Sequence, residues 1–250
     1  MPLYGQFLRD ETPIHGLVEG DTVRFLSDLF EPNSFTDERA PLANLEILPP
    51  VFPSKLFAIG LNYADHAAEH GNEVPDEPLM WFKAPSALLA HEGTIHIAFP
   101  EHRTDFEAEL AIVIGKRGKA IREEDAGDHI FGYTCAQDIS DRKIQRSESQ
   151  WARAKSLDTY APLGPFISTD LDVSDCRVQS VVNGQIKQDG NTRDMIFSPA
   201  RIVAFVSQAI TLEAGDVILT GTPEGVGPLQ SGDVLETRIG DLPVLRNKVG

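Results

Sequence analysis

The chain has 250 residues, of which 41% are hydrophobic, and it carries a formal net charge of −16. This length and composition allow a buried core in one large domain, or in one domain with a small appendage. The acidity excludes nucleic acid and anionic membrane surfaces as expected partners, because both attract basic proteins.

The N-terminus has no basic segment followed by an apolar one, which a signal peptide would require. No apolar stretch approaches the roughly 18–20 residues that span a bilayer. Cys135 and Cys176 are too few for a disulfide framework. These features predict a cytoplasmic protein that does not associate with a membrane.

The first 50 residues predict a small β-rich domain, and residues 51–250 predict the main domain. In segment 15–26, two short apolar runs flank a Glu-Gly-Asp turn, which is the pattern of a strand, a turn and a second strand. Three prolines interrupt the segment 48–53, which predicts a linker between the two domains.

Four later segments have the residue types of strands: 56–59, 106–115, 132–138 and 217–220. Two segments predict helices: 62–70, with Asn62 as its cap, and the residues after Ser198, an N-cap that Pro199 follows. Many strands with only two helices predict an α+β, β-dominated fold rather than a regular βαβ alternation.

Glu107 and Glu109 are two residues apart in the predicted strand 106–115, so their carboxylates share one face about 7 Å apart. Asp138 ends the next predicted strand, just before a charged turn. Three carboxylate ligands suit Mg²⁺ or Mn²⁺, with positions left for water and substrate. The alternative is a solvated strand end without an ion, and Asp105, on the same face, is a competing ligand.

His66 and Glu69 lie at positions i and i+3 of the predicted helix, so the glutamate can accept one ring N–H and leave the other nitrogen basic. The pair is a candidate general base for activating water, and the alternative is a surface ion pair. Residues 66–70 also fit the H-x-x-E-H string of some zinc peptidases, but no third ligand follows. The polar segment 69–78, with two prolines, predicts a mobile cover for the site.

Three carboxylates and one divalent ion together leave one negative charge, so an anionic substrate needs cations nearby. Arg142 and Lys155 can supply them, with Gln145 as a neutral donor. Lys155 lies between small residues and can hold a substrate carboxylate or an enolate, although surface lysines share this pattern. The turn 221–227 can offer backbone N–H groups and the Thr222 hydroxyl to an anion, or it can be a plain tight turn.

From about Lys55 to the C-terminus the chain resembles the fumarylacetoacetate hydrolase family. Six blocks carry the resemblance, in order and in spacing: GLNYADHAAEHG (60–71), FEAELAIVIGKRGKAI (106–121), GYTCAQDISDRKIQ (132–145), AKSLDTYAPLGP (154–165), VNGQIKQDGNTRDMIFS (182–198) and GDVILTGTPEGVG (215–227). The resemblance implies a mixed β-roll or β-sandwich core and a homodimer. The small N-terminal unit looks like that of bacterial 2-hydroxyhepta-2,4-diene-1,7-dioate isomerases.

The resemblance also implies a role for each candidate residue. It implies Mg²⁺ or Mn²⁺ on Glu107, Glu109 and Asp138. It implies that His66 and Glu69 are a catalytic pair on a lid that orders over substrate. The positions that match substrate contacts are Arg142, Gln145, Lys155 and Thr222.

The implied reaction is C–C bond hydrolysis of a small anionic 2-keto acid, such as an acylpyruvate or a fumarylpyruvate, in aromatic or small-acid catabolism. Oxaloacetate decarboxylation and isomerisation of 2-hydroxyhepta-2,4-diene-1,7-dioate or 5-carboxymethyl-2-hydroxymuconate are alternatives at the same site. All of them form an enolate, which the metal and Lys155 would hold. An alternative of another class is a non-catalytic ion-binding module, in which the carboxylates only stabilise the fold.

Overall fold

A computed structural model describes residues 1–31, 34–69 and 74–250. The N-terminal strands are β1 (Leu3–Arg9), β2 (Thr12–Glu19), β3 (Thr22–Leu26), β4 (Phe35–Pro41) and β5 (Glu46–Leu48). β2 and β3 pair on either side of a two-residue turn, which confirms the strand, turn and strand predicted over 15–26. β1 also pairs with a strand of the main body, so these strands continue its sheet.

The strands of the main sheet beyond residue 50 are β6 (Leu56–Gly60), β7 (Leu79–Lys83), β8 (Leu88–Leu89), β11 (Ala108–Ile114), β12 (Ile130–Gln137), β14 (Ala161–Ser168) and β17 (Val217–Leu219). The twelve strands found in the described residues run in the order β4-β3-β2-β1-β14-β12-β11-β17-β6-β7, with β5 beside β1 and β8 beside β14. β11, which contains Glu109, and β12, which ends just before Asp138, therefore lie in the interior of the sheet.

The remaining strands form two smaller sheets: β9 (Thr94–Ile95), β10 (Thr104–Phe106), β13 (Ser140–Asp141), β15 (Arg177–Val182), β16 (Gln185–Asn191), β18 (Gly227–Pro228), β19 (Val234–Ile239) and β20 (Leu245–Val249). Their orders are β16-β15-β19-β20-β9 and β13-β10-β18. Side chains of β11 and β12 pack against those of β15, β19 and β20. The β-dominated α+β prediction is confirmed.

The helices of the described residues are α1 (Ala64–Glu69), α2 (Arg142–Ser147), α3 (Ala152–Lys155) and α4 (Pro199–Ala209). α4 begins as predicted, because the Ser198 hydroxyl accepts a hydrogen bond from the Arg201 N–H and proline follows the cap. Its apolar face packs on Ile112 and Ile218 of the sheet. None of these helices has the length and apolarity needed to cross a membrane.

Two local predictions need correction. Asn62 does not cap α1, because its side chain instead bonds the Phe197 backbone and the Thr220 carbonyl. The predicted strand 106–115 is broken at Glu107, which lies between β10 and β11. Of the predicted cover 69–78, residues 70–73 lie outside the described part of the chain, as does the end of the H-x-x-E-H string.

Candidate active site

The three predicted metal ligands converge because β11 and β12 are antiparallel neighbours. Ala108 lies opposite Gln137 and Glu109 opposite Ala136. Glu107, just before β11, therefore lies beside Asp138, just beyond the end of β12, and Glu109 follows two residues further along on the same face. The Asp138 N–H donates to the Glu107 carbonyl at 3.0 Å, which fixes the two loops side by side. One oxygen from each carboxylate lies within 4.8 Å of the others, and all three residues are buried.

Two of the three carboxylates already face cations. Glu107 meets the Lys155 ammonium and the Arg142 guanidinium, each at 2.7 Å. Asp138 meets the same ammonium at 2.8 Å. Burial alone would raise the pKa of Glu107, but the two cations hold it well below its ordinary value.

Glu109 is the exception. Its carboxylate accepts a hydrogen bond from the Gly221 N–H at 2.6 Å, and it forms no ion pair with any residue that the structure describes. Burial, reinforced by the neighbouring Asp138 and Glu107 carboxylates, raises its pKa well above the ordinary value. An ionised carboxylate that is buried without a cation of its own is unfavourable, and a metal ion bound at Glu109 would remove that cost.

A divalent ion fits this donor set. Mg²⁺ binds oxygens at about 2.1 Å in an octahedron, which puts neighbouring ligands about 3 Å apart and opposite ligands about 4.2 Å apart. The separations among the three carboxylate oxygens, all within 4.8 Å, allow that arrangement with small side-chain movements. Oxygen-only ligands favour Mg²⁺ or Mn²⁺ over zinc. Glu107, Glu109 and Asp138 would hold the ion.

Lys155 is a buried residue of the site and not a surface lysine. α3 carries it, and its ammonium also donates to the Ser140 hydroxyl at 2.7 Å. The nitrogen lies 5.2 Å from the centre of the Trp81 ring, which adds a cation–π contact. The Asp138 and Glu107 carboxylates outweigh burial and raise its pKa, so the ammonium stays charged at the floor of the pocket.

Lys83 belongs to the site but was not predicted from the sequence. It ends the apolar run LMWFK of β7 and is fully buried. Its ammonium donates to the Asp138 carboxylate and to the carbonyls of Lys155 and Tyr160. It thereby ties a candidate metal ligand to the end of α3. The sequence signal for Lys83 was a lysine at the end of an apolar strand, where a charged side chain needs a partner.

Replacing Lys83 by methionine is expected to destabilise the protein by about 3–5 kcal/mol, because it leaves part of the Asp138 charge buried without its partner. Chemical denaturation of the chelator-treated protein measures the change. Lys187→Met, at an exposed position, is the matched control and should alter the free energy of unfolding by less than about 0.5 kcal/mol. Equal effects of the two variants would contradict the structural role of Lys83.

Arg142 and Asp105 form a pair within the site. The Arg142 guanidinium donates to the Asp105 carboxylate at 2.8 Å, and Arg103 binds the other oxygen at 2.7 Å. Asp105 is therefore engaged by arginines and does not join the ligand cluster, so its expected competition is not observed. Arg142 also donates to the Gln145 side-chain oxygen at 2.7 Å. Through these contacts Arg142 holds the Glu107 carboxylate in position.

His66 and Glu69 form the predicted pair on α1. Nδ1 of His66 lies 3.2 Å from a Glu69 carboxylate oxygen, and the other oxygen accepts the Gly225 N–H at 3.3 Å. The glycine-rich turn thus positions the glutamate that orients the imidazole. With Nδ1 facing the carboxylate, the second ring nitrogen is the one that can exchange a proton with a substrate.

The Thr222 hydroxyl is engaged by the protein. It donates to the Ala108 carbonyl at 2.9 Å and accepts a hydrogen bond from the Gln188 side chain at 2.8 Å. Gly221, at φ 96°, brings its N–H to Glu109 in a backbone conformation that favours glycine. The turn therefore braces β11 and its metal-ligand candidate.

These side chains surround one cavity of about 210 Å³. The predicted residues in its wall are His66, Glu107, Glu109, Arg142, Gln145, Lys155 and Thr222. Trp81 and Trp151, in edge-to-face contact with ring centres 5.2 Å apart, form an apolar side of the wall. Arg146 lines the cavity as well and was not predicted. A pocket with buried carboxylates, a lysine and an oriented histidine is equipped for proton transfer and for anion binding.

Two family models match the chain. One, described as fumarylacetoacetate (FAA) hydrolase C-terminal, matches residues 55–250, and one described as Rv2993c-like, N-terminal, matches residues 3–50. The chain belongs to the fumarylacetoacetate hydrolase family and is an enzyme of that family. The resemblance inferred from the six sequence blocks is confirmed.

The relatives cover most of the chain. An uncharacterized protein of Archaeoglobus fulgidus is 42% identical over 245 residues, 98% of this chain and 95% of its own. The mitochondrial oxaloacetate tautomerase fahd2 of Xenopus laevis is 40% identical over 220 residues, 83% of this chain and 69% of the tautomerase. The crystal structure of 5-carboxymethyl-2-hydroxymuconate delta-isomerase from Mycobacterium smegmatis has a TM-score of 0.92 and 37% identity, and the match covers 100% of this chain and 99% of that one.

Proposed function

We propose that the chain is a divalent-metal-dependent enzyme that transfers a proton between the enol and keto forms of a small 2-oxo acid. The observation that carries the proposal is that an oriented histidine shares one pocket with a buried carboxylate cluster and a buried lysine. An ion held by Glu107, Glu109 and Asp138 would bind the 2-oxo-carboxylate end and stabilise negative charge on the enolate.

The protein side chains supply the rest of the chemistry. His66, oriented by Glu69, takes the proton from the carbon next to the 2-oxo group, or returns it there. Lys155 stands beside the carboxylate cluster and offers a positive charge to the enolate oxygen. Trp81 and Trp151 limit the access of water on one side of the reacting carbon.

The names of two relatives support proton transfer rather than hydrolysis, the reaction expected first from the sequence. One relative is called an oxaloacetate tautomerase and one solved structure a delta-isomerase, and both words describe a shift of a proton. Hydrolysis of an acylpyruvate is the second candidate, because a glutamate-held histidine is also the arrangement that deprotonates water.

A product analysis tests the proposal. The protein is incubated in D₂O with oxaloacetate, an acylpyruvate or 5-carboxymethyl-2-hydroxymuconate, with Mg²⁺ or with a chelator, and NMR follows the carbon skeleton. We expect Mg²⁺-dependent exchange of the proton next to the 2-oxo group, with the skeleton intact. Pyruvate and a free acid from the acylpyruvate would establish hydrolysis instead, and CO₂ from oxaloacetate would establish decarboxylation.

The same experiment addresses the ion-binding module. If Mg²⁺ raised the melting temperature while no 2-oxo acid was converted or exchanged, the catalytic proposal would be rejected. A homodimer and cytoplasmic location remain expectations from the sequence and the family resemblance.

A further inference from the structure

Arg146 differs from the other cations of the cavity wall because no carboxylate of the described residues engages it. Lys155 and Arg142 are each held by two buried carboxylates. The Arg146 guanidinium, in contrast, has neither an ion pair nor a hydrogen bond with the residues at 1–31, 34–69 and 74–250, and it lines the cavity from an exposed position. It is therefore available to an anion that enters from outside.

The position of Arg146 is fixed by α2. It follows Arg142 by four residues, which places it about 6 Å further along the same face of the helix. Asp141 caps this helix by accepting the N–H groups of Lys143 and Ile144 at 3.0 and 2.9 Å. His102 holds the second Asp141 oxygen at 2.7 Å. The short helix is thereby anchored, and Arg146 stands one turn outward from the carboxylate cluster.

Gln145 extends this outer end of the cavity. Its side-chain oxygen accepts a hydrogen bond from Arg142, so its amide nitrogen is the end left to donate. A guanidinium beside an amide N–H group is a suitable combination for a carboxylate, which accepts two parallel hydrogen bonds from arginine. Trp81 and Trp151 form an apolar wall of the same cavity, against which the carbon chain of a substrate can pack.

We propose that Arg146, assisted by Gln145, binds the second carboxylate of a dicarboxylic 2-oxo acid and so selects diacids over monoacids. This inference rests on the proposed function, which places the 2-oxo-carboxylate end at the cluster beside Lys155. The spacing of one helical turn suits a diacid in which a few carbons separate the two carboxylates.

The first test measures binding, which does not depend on turnover. Isothermal titration calorimetry in Mg²⁺ compares L-malate, a 2-hydroxy diacid, with L-lactate, which lacks the second carboxylate. We expect Arg146→Gln to weaken malate binding about tenfold, as for the loss of one exposed charge-assisted contact, and to leave lactate binding unchanged. Lys143→Gln, which removes an exposed charge from α2 outside the cavity wall, should change neither. Equal affinity of the wild type for malate and lactate would overturn the inference.

The second test measures kcat/KM for oxaloacetate and for its 4-methyl ester. Arg146→Gln should lower the value for oxaloacetate about tenfold, through KM, and leave the ester unaffected. Equal losses for both substrates would overturn the role of Arg146 while the proposed function stands. The wild type could instead turn over no 2-oxo acid while Arg146→Gln still weakens the binding of malate and not of lactate. That result would overturn the proposed function and leave the diacid site standing.

Discussion

Replacing Glu109 by glutamine is expected to raise the melting temperature of the chelator-treated protein and to abolish its further rise on addition of Mg²⁺. The variant removes a buried carboxylate that has no cation partner among the described residues. It also removes a ligand, so Mg²⁺-dependent turnover should fall by at least about a hundredfold. At a Mg²⁺ concentration one hundred times its Kd, the wild type should gain about 2.7 kcal/mol of stability, and the variant should gain none.

The sign of the pH dependence follows from the raised pKa of Glu109. In the folded protein without the ion, the Glu109 carboxyl stays protonated at pH values above 4.5, the ordinary pKa of a glutamate. In the unfolded chain the same carboxyl ionises near that pKa. Between the pKa of the unfolded chain and the higher pKa of the folded protein, the unfolded state binds fewer protons. The free energy of unfolding therefore falls as the pH rises between these two pKa values. The melting-temperature difference between Glu109→Gln and the wild type should widen as the pH rises above the ordinary glutamate pKa.

A matched control separates this effect from the loss of any negative charge. Glu46→Gln removes an exposed carboxylate from β5 and should leave both the melting temperature and its response to Mg²⁺ unchanged. If Glu109→Gln behaved like Glu46→Gln in chelator and in Mg²⁺, Glu109 would not be a ligand.

Replacing His66 by alanine is expected to lower kcat by about 10²- to 10⁴-fold, because the proton-transferring group is lost. Mg²⁺ affinity should change little, since His66 is not among the three candidate ligands. Glu69→Gln should lower kcat less, because the amide can still hold Nδ1 in position although its charge is gone.

The rates are measured as the Mg²⁺-dependent exchange of the proton next to the 2-oxo group. His96→Ala, at an exposed position outside the cavity wall, is the control for loss of an imidazole. A His66→Ala enzyme with wild-type exchange rates would remove histidine from the mechanism. A loss of hydrolysis alone, with exchange retained, would instead assign His66 to water activation.

Much of the site follows from strand alternation. Glu109, Ala111 and Val113 point to one face of β11, where Ala111 and Val113 enter a core with Trp81. Ile112 and Ile114 point to the other face, against α4. A period of two residues is a local property, so one strand of sequence is enough to predict it. The proximity of Asp138 depends on the pairing of β11 with β12, which strand alternation does not predict. The family resemblance implied the shared ion without that pairing.

The contacts that could not be predicted join residues distant in the sequence. Lys83 reaches Asp138 across 55 positions. A lysine at the end of an apolar strand is a local signal, but nothing in the local sequence identifies Asp138 as its partner. Asp105 has the same parity as Glu107 and Glu109, which left it open as an alternative ligand, but two arginines engage it and it does not join the cluster. Asn62 has the residue type of a helix cap, yet the buried backbone of Phe197 and Thr220 offered it better partners. Tertiary hydrogen bonding overrides local preference in each case.

The most direct test of the central claim is the position of the ion. Crystals grown with Mn²⁺ should show one anomalous-scattering peak per chain, at about 2.0–2.3 Å from one oxygen each of Glu107, Glu109 and Asp138. The Lys155 ammonium should remain beside the Glu107 and Asp138 carboxylates. Absence of a peak among the three carboxylates at a Mn²⁺ concentration that supports turnover, or a peak elsewhere in the chain, would contradict the metal site and the enolate chemistry built on it.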